Sequence, residues 1–374
     1  MVLELKNDFI IYFQGIGILV GYNYALPYYI GNSLSNSRLY CKIICENDLV
    51  SFFLGGYRYR TNKVKQLLLP HKNVRYKEYP SKTLIAFISK YLARKRTLLH
   101  INDVKAKYIK ILLKSKAPIV LTIHGYPSKT YPGKDILDNV DAVIAPYDYE
   151  GYLLHKIYGI KPKIIHHGID PTIFNTKTDP NKAKKILGIR TNGKIITWIA
   201  RFDESKKPWL FLKAVTKLLE ERQDITVIMY TRAVNKCLYY TLYKHINNLR
   251  KRFKKRFLFK IRWIPYIKMP LIYRASDIYV STGIGGIDLI EAMASNSIVV
   301  AEDNPISREI LGDTGIYYKE NDASSLIESL HYALSNERNK FEKKQKVQIY
   351  KYKGLWNLAA KEYINQYINI LNNT

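Results

Sequence analysis

Short apolar runs alternate with amphipathic segments along most of this chain, and that alternation restricts its fold more than any other feature. In the first half, FIIYF, RLYCKIIC, LLHIN, PIVLTIH, VDAVIAP and KIIHHG are strand-like runs rich in Ile and Val. Helical patterns separate several of them, over Thr83–Arg94, Val104–Ser115 and Tyr149–Tyr158. After HHGIDPTIFNTKTDPN the alternation restarts with KIITWIA, DITVIMYT, FLFKIRWI, DIYVST and NSIVVAED. Continuous apolar strands between amphipathic helices predict parallel sheets covered on both faces. Two such series predict an α/β protein of two Rossmann-like, doubly wound domains, divided at the polar segment near Asp170–Asn181. The expected domains are 1–170 and 171–354, followed by an amphipathic helix over 355–374 with Leu355, Leu358, Ala359, Tyr363, Tyr367 and Ile370 near helical spacing.

Composition narrows the function classes. A chain of 374 residues with 47% hydrophobic content is long enough for two cores and is not a disordered tail. Lysine and arginine number 60 against 31 acids, a formal charge of +29 that favours polyanions: nucleic acid, anionic lipid or phosphorylated substrates. The 32 tyrosines and frequent Lys and Ile give a thermophilic cast. Three cysteines form no disulfide framework and have no four-ligand metal spacing, and Cys41 and Cys45 fall on one face of an expected strand. The uncharged run Phe9–Ser37 is long enough to span a bilayer, but it contains Gln14, Asn23, Pro27 and Asn32. It also lacks the basic start and small-residue cleavage site of a signal peptide. It reads instead as a buried strand, a Gly15–Gly17 turn and an apolar helix, which makes any membrane contact peripheral.

Two segments of the second series carry chemistry. ARFDESKKP follows the strand Ile195–Ala200, placing Arg201 and Lys206 at the carboxyl edge of the sheet, where such folds bind ligands. An arginine fork and a lysine point charge suit a diphosphate, although two solvated surface cations would look the same in sequence. VSTGIGGIDLIEAMASNSIVVAED runs from a strand through Gly283, Gly285 and Gly286 into a helix. Gly286 and the N–H groups of Ile287 and Asp288 can hold phosphate at that helix start. Glu291, one turn in, can accept hydrogen bonds from a ribose diol, or can simply be an acid stabilised by the helix dipole.

In the first series, His124 ends PIVLTIH at a carboxyl edge and is a candidate for a sugar or phosphate contact, while His100 on LLHIN reads as packed beneath it. His166 and His167 read as adjacent strand residues on opposite faces, which argues against a shared metal. GIRTNGKI is not a P-loop, since it lacks the final Ser/Thr and precedes a strand. GIGILVG lacks the third glycine of a dinucleotide fingerprint. No Asp-x-Asp occurs, which counts against sugar transfer around a metal-bridged diphosphate.

In order and spacing, HHGIDPTIF, WIARFDESKK, FKIRWIPYIKMPLIYRASDIYVS, GIGGIDLIEAMASNSIVVAED and SREIL resemble the retaining GT-B glycosyltransferases of family 4. The resemblance runs from about Ile165 to the C-terminus and is looser in the first half, at LLHINDVKAKY and LTIHG. It implies a GT-B fold, with two domains facing a central cleft and a C-terminal helix that crosses back to the first domain at Trp356. It also implies transfer of a sugar from a nucleotide sugar as co-substrate, with retention, no catalytic metal and no cofactor. By that resemblance Arg201 and Lys206 match the diphosphate-binding pair, and Glu291 the ribose-binding second glutamate of Glu-x7-Glu. His124 matches the histidine that contacts the donor sugar, and Gly15 and Gly17 the glycine-rich first loop near the donor phosphates. Gly285, Gly286 and Ile287 complete the expected donor site.

The chain departs from this pattern at Gly283, where the first glutamate is expected, and at Ala200, where a glycine is usual. The departure leaves open a non-catalytic nucleotide- or nucleic-acid-binding protein on the same scaffold, or a DNA-glycosylating enzyme. Basic residues concentrate in GGYRYRTNKVKQLLLPHKNVRYKEYPSKTLIAFISKYLARKR and in LRKRFKKRFLFKIR, and Thr83–Arg96 can form a basic amphipathic helix. The expectation is a cytoplasmic protein, peripheral on the inner face of a membrane if it binds one, with a lipid-linked or membrane-bound acceptor preferred over nucleic acid.

Overall fold

The computed structural model describes residues 9–14, 40–47, 74–80, 97–102, 110, 113, 118–124, 127, 132–175, 177–233, 235–261, 264, 268–352 and 355–373. The chain forms two compact units, residues 1–167 with 356–374, and residues 168–355. In the first unit the strands are β1 (Phe9–Gln14), β2 (Tyr40–Asn47), β3 (Val74–Pro80), β4 (Thr97–Asn102), β5 (Ile119–Thr122), β6 (Ala142–Ala145) and β7 (Lys163–Ile164). They form one sheet in the order β3-β2-β1-β4-β5-β6-β7, every pair parallel. β3, VRYKEYP, escapes the sequence reading because Arg75, Lys77 and Glu78 interrupt its apolar pattern. KIIHHG is a strand only through Ile164, so His166 and His167 lie beyond it. The helix expected over Thr83–Arg94 and the Gly15–Gly17 turn lie outside the described residues, as does the helix expected over Val104–Ser115 apart from Lys110 and Leu113.

The second unit contains β8 (Lys194–Phe202), β9 (Ile225–Ala233), β10 (Phe257–Ile261), β11 (Ile278–Ser281), β12 (Ile298–Glu302) and β13 (Ile316–Tyr318). Its parallel sheet runs β10-β9-β8-β11-β12-β13. All residues of β11 and β12 are buried, as strands covered on both faces must be. Trp198, Phe202, Phe211, Val227, Met229, Val280 and Val300 belong to the core between the sheet and its helices. Helix α1 (Pro208–Glu221) opens with a proline in its first turn, and α2 (Lys236–Phe253) is capped by Asn235, whose side chain accepts the Leu238 N–H at 3.0 Å. Helix α3 (Ile287–Ala294) follows β11. The strand order reverses direction at β8 and β11: the chain leaves β8 toward β9 on one side and β11 toward β12 on the other. Right-handed crossovers then put the following helices on opposite faces and open a crevice at the carboxyl ends of β8 and β11.

The C-terminal helix α4 (Trp356–Asn373) belongs to the first unit, with Ala359, Tyr363 and Tyr367 buried. His100 on β4 is fully buried and ties this helix to the sheet. Its Nδ1 lies 2.5 Å from the Tyr367 hydroxyl and its Nε2 2.8 Å from Thr122 Oγ1, while the Tyr363 ring stacks on it at 5.2 Å. Burial holds His100 neutral, its pKa lowered to about 3. Tyr367→Phe removes one imidazole partner without emptying the core, and should destabilise the first unit by about 1–3 kcal/mol in urea unfolding; an unchanged midpoint would contradict the pairing. Because the folded pKa of His100 lies below the unfolded value, the unfolded chain takes up the proton first on acidification. Stability is therefore full above pH ~6.5 and falls between there and about pH 3, by up to about 1.4 kcal/mol per pH unit from this residue. Unfolding followed against pH should show that slope, and a His100→Gln variant that folds should show a shallower one.

Candidate donor site

The two segments singled out in the second series meet because β8 and β11 are neighbours. After β8 the chain makes a single 3-10 turn, Glu204–Lys206, before α1. Arg201 at the end of β8 pairs with Asp203 (Nε to Oδ2, 3.0 Å), and Ser205 Oγ donates to Asp203 Oδ1 at 2.5 Å. The Lys206 ammonium donates to the carbonyl of Ile284 at 2.5 Å, and the Thr282 hydroxyl donates to the carbonyl of Lys206 at 2.5 Å. Thr282 in turn accepts the indole N–H of the buried Trp198 at 2.7 Å. The loop after β8 is thus bonded directly to the glycine turn after β11. Arg201, Lys206 and the start of α3 share one edge of the sheet.

Gly283 explains how the loops come so close. Its φ is +84°, and a Cβ there would stand 2.1 Å from the carbonyl oxygen of Ser205. No side chain fits while the loop after β8 holds this position, so an acid at 283 would have to displace it. Gly285 lies at a different limit, since its Cβ would meet only the flexible end of Leu289. Gly286 is the N-cap of α3, and the N–H groups of Ile287 and Asp288 stand ahead of the helical ladder, at the positive end of the helix. The Asp288 carboxylate accepts the hydroxyls of Tyr279 at 2.9 Å and Ser281 at 3.0 Å. Glu291 is fully buried on α3, and its charge together with that of Asp288 adds to burial in pushing the Tyr279 hydroxyl pKa far up.

A second set of ionic contacts fixes the loop from behind. Lys207 has φ 42°, an unusual backbone for a lysine, and sits at the N-cap of α1. Its ammonium pairs with the buried Glu302 at 2.6 Å and with Glu320 at 3.3 Å. The Tyr318 hydroxyl adjoins Glu302 and the Gly283 backbone and is pushed up chiefly by burial. Sequence reading passed over Lys207, Asp203, Ser205, Thr282 and Glu302. The doubled lysine ahead of Pro208 was the available signal for a helix start, but its partner is nearly a hundred residues away.

In the first unit, His124 lies just past β5 and half-buried, with its Nδ1 3.3 Å from Nε2 of His167 and the two rings parallel within 6°. Burial lowers the His124 pKa to about 4, and burial lowers the His167 pKa well below its usual value with smaller contributions from the His124 and His166 rings. His166 faces a different partner, the Pro146 carbonyl, at 3.1 Å. Gly15 and Gly17 lie outside the described residues.

Residues 179–353 match the model of the family described as Glycosyl transferases group 1, which covers nearly all of the second unit and every donor-site residue described there. Two D-inositol 3-phosphate glycosyltransferases align with part of the chain. The one from Kribbella flavida is 22% identical over 102 residues, 26% of this chain and 24% of the relative. The one from Mycobacterium ulcerans is 30% identical over 95 residues, 25% of this chain and 20% of the relative. The chain thus spans no more than about a quarter of these relatives' length. Among solved structures, a glycosyltransferase from Rickettsia africae superposes with a TM-score of 0.76 at 18% identity over 99% of this chain and 100% of that one. Anabaena HepE in complex with UDP and glucose superposes with a TM-score of 0.76 at 15% identity over 96% and 99%. The fold is that of the GT-B glycosyltransferases.

Because the Gly283 Cβ position is occupied by backbone, Gly283→Ala should cost about 1–2 kcal/mol for the left-handed conformation alone, and more for the contact with Ser205. Thermal unfolding reads this directly. A Gly283→Ala protein as stable as wild type would mean that the two loops are not interlocked as described.

Proposed function

We propose that the chain is a nucleotide-sugar-dependent glycosyltransferase whose second unit binds the donor. One observation carries this reading: Lys206, on the loop after β8, is fixed against the glycine turn that starts α3, and Arg201 at the end of β8 is held beside that loop by Asp203. Cations and a helix N-terminus at one sheet edge suit a diphosphate, and the buried Glu291 one turn into α3 suits a ribose. The family match over 179–353 supports the same assignment. Anabaena HepE has been solved with UDP-glucose and supports a uridine nucleotide as the first donor to try.

In this reading the reaction breaks the bond between the sugar's anomeric carbon and the donor phosphate and forms one to an acceptor hydroxyl. Negative charge grows on the departing nucleoside diphosphate, and Arg201, Lys206 and the N–H groups of Ile287 and Asp288 stabilise it. Neither metal nor cofactor enters, a reading supported by the lack of Asp-x-Asp in a sequence with two cations beside the helix start. Retention of anomeric configuration, with the acceptor attacking from the face the leaving group departs, follows the family 4 resemblance. His124, neutral and held beside His167, takes the first-unit contact to the donor sugar. The acceptor is proposed to be lipid-linked or membrane-bound and the protein to work at the cytoplasmic face. Among the described residues no helix is long and apolar enough to cross a membrane.

The alternative, a non-catalytic nucleotide- or nucleic-acid-binding protein, draws on Gly283 in place of an acid and on the charge of +29. Incubation with UDP-, GDP- and ADP-sugars separates the two. Donor turnover, or slow donor hydrolysis, is the expected result, with one nucleotide preferred. Arg201→Ala should weaken binding of that nucleoside diphosphate by about 1.5–3 kcal/mol. No response to any nucleotide, combined with protection of RNA or DNA, would establish the alternative.

A further inference from the structure

The strongest unassigned feature lies on the second unit, at the far edge of its sheet from β13. Residues 225–276 contain no aspartate or glutamate and thirteen lysines and arginines. The fold gathers part of that charge where the end of α2 meets the edge strand β10. Arg250, Lys251, Lys254 and Lys260 line, with Asn247 and Phe259, a concavity of about 600 Å³. Among the described residues none of these four cations has a carboxylate within ion-pair distance, whereas the neighbouring Arg252 is neutralised by Glu220. Lys254 even holds φ at 47°, a conformation that favours glycine, directly after the last turn of α2. The cations extend a single face of α2, since Tyr240, Tyr243, Asn247, Arg250, Lys251 and Lys254 recur at three- and four-residue spacing. On that face Tyr240 is 70% exposed and Tyr243 44%, and Ile261 at the end of β10 is 44% exposed.

We propose that this face is a docking surface for an anionic lipid bilayer, with the concavity seating phosphate-bearing headgroups. Charge complementarity is the first argument, because four uncompensated cations in one concavity repel each other unless a polyanion covers them. The second is the company they keep. The exposed tyrosines on the same face of α2 suit the boundary between headgroups and acyl chains, where an amphipathic ring satisfies both sides. Three of the four cations are lysines, point charges suited to a diffuse anionic surface, where a nucleic-acid site would gain more from arginine forks. This surface deepens the membrane-bound acceptor reading but stands on its own residues, away from the loops after β8 and β11.

The test compares the 374-residue protein with a Lys251→Gln/Lys254→Gln/Lys260→Gln variant. Co-sedimentation is measured with vesicles of phosphatidylcholine alone and of phosphatidylcholine with phosphatidylglycerol, over a salt series. Wild type should bind only the phosphatidylglycerol vesicles and lose them as salt rises, and the variant should bind them about a hundredfold more weakly. The three lysines lie outside the donor site, so nucleotide affinity should be equal in the two proteins; this separates failure of the surface from failure of the donor assignment. Vesicle binding that survives the triple substitution would place the membrane contact elsewhere and overturn the proposal. So would absence of vesicle binding at low salt alongside duplex DNA binding that the substitutions abolish, which would make the face a nucleic-acid surface.

Discussion

The contact between the loop after β8 and the glycine turn after β11 is the constraint on which the rest of the second unit's chemistry depends. Parallel pairing of β8 with β11 brings the two segments to the same edge, but pairing alone would leave two mobile loops. Thr282 bonds Lys206's carbonyl, Lys206's ammonium bonds Ile284's carbonyl, and the missing Cβ at Gly283 makes room for Ser205. Trp198 and the Lys207–Glu302 pair anchor this arrangement to the core. Breaking a largely buried ion pair such as Lys207–Glu302 would strand a charge, so the loop has little freedom to move independently. Donors held in place before a charged ligand arrives need no reorganisation to receive it.

Much of this was legible in the sequence, and for identifiable reasons. Short β-branched apolar runs such as IYVS and IVVAE fit strands buried on both faces, and their alternation with helices points to a parallel α/β fold. Arg201, Lys206 and the glycine turn were visible because strand ends are where such folds bind ligands. β3 and the short β13 were not read, the first because charged residues interrupt its apolar pattern and the second because three residues carry no period. The loop interlock was also hidden. Gly283 stood out as a departure from the family pattern, and in sequence it looked like a lost carboxylate. The backbone of Ser205 in that space is a tertiary fact, and it makes Gly283 part of how the site is built.

Ionisable groups are neutralised by burial in some places and paired in others, and the first unit does both, pairing charge at Lys110–Asp135 and Lys163–Glu362. In that unit, His100, His124 and His167 are kept uncharged by burial, and all three shift in the direction that favours folding at neutral pH and weakens it in acid. In the second, charge is kept and either paired or left exposed. Lys207, Arg252 and Arg308 have carboxylate partners, while the cations around the concavity at β10 do not. Among the described residues of the second unit, part of the positive charge is held in ion pairs and part lies at the β10 edge.

The central claim is that the interlocked loops after β8 and β11 form a diphosphate site. A crystal structure of the protein with UDP, or with whichever nucleoside diphosphate binds most tightly, tests it most directly. The predicted result places the diphosphate oxygens against the N–H groups of Ile287 and Asp288 and within reach of Arg201, with the ribose hydroxyls on Glu291. A diphosphate bound elsewhere, with Arg201 still closed on Asp203 and the start of α3 occupied only by solvent, would contradict it.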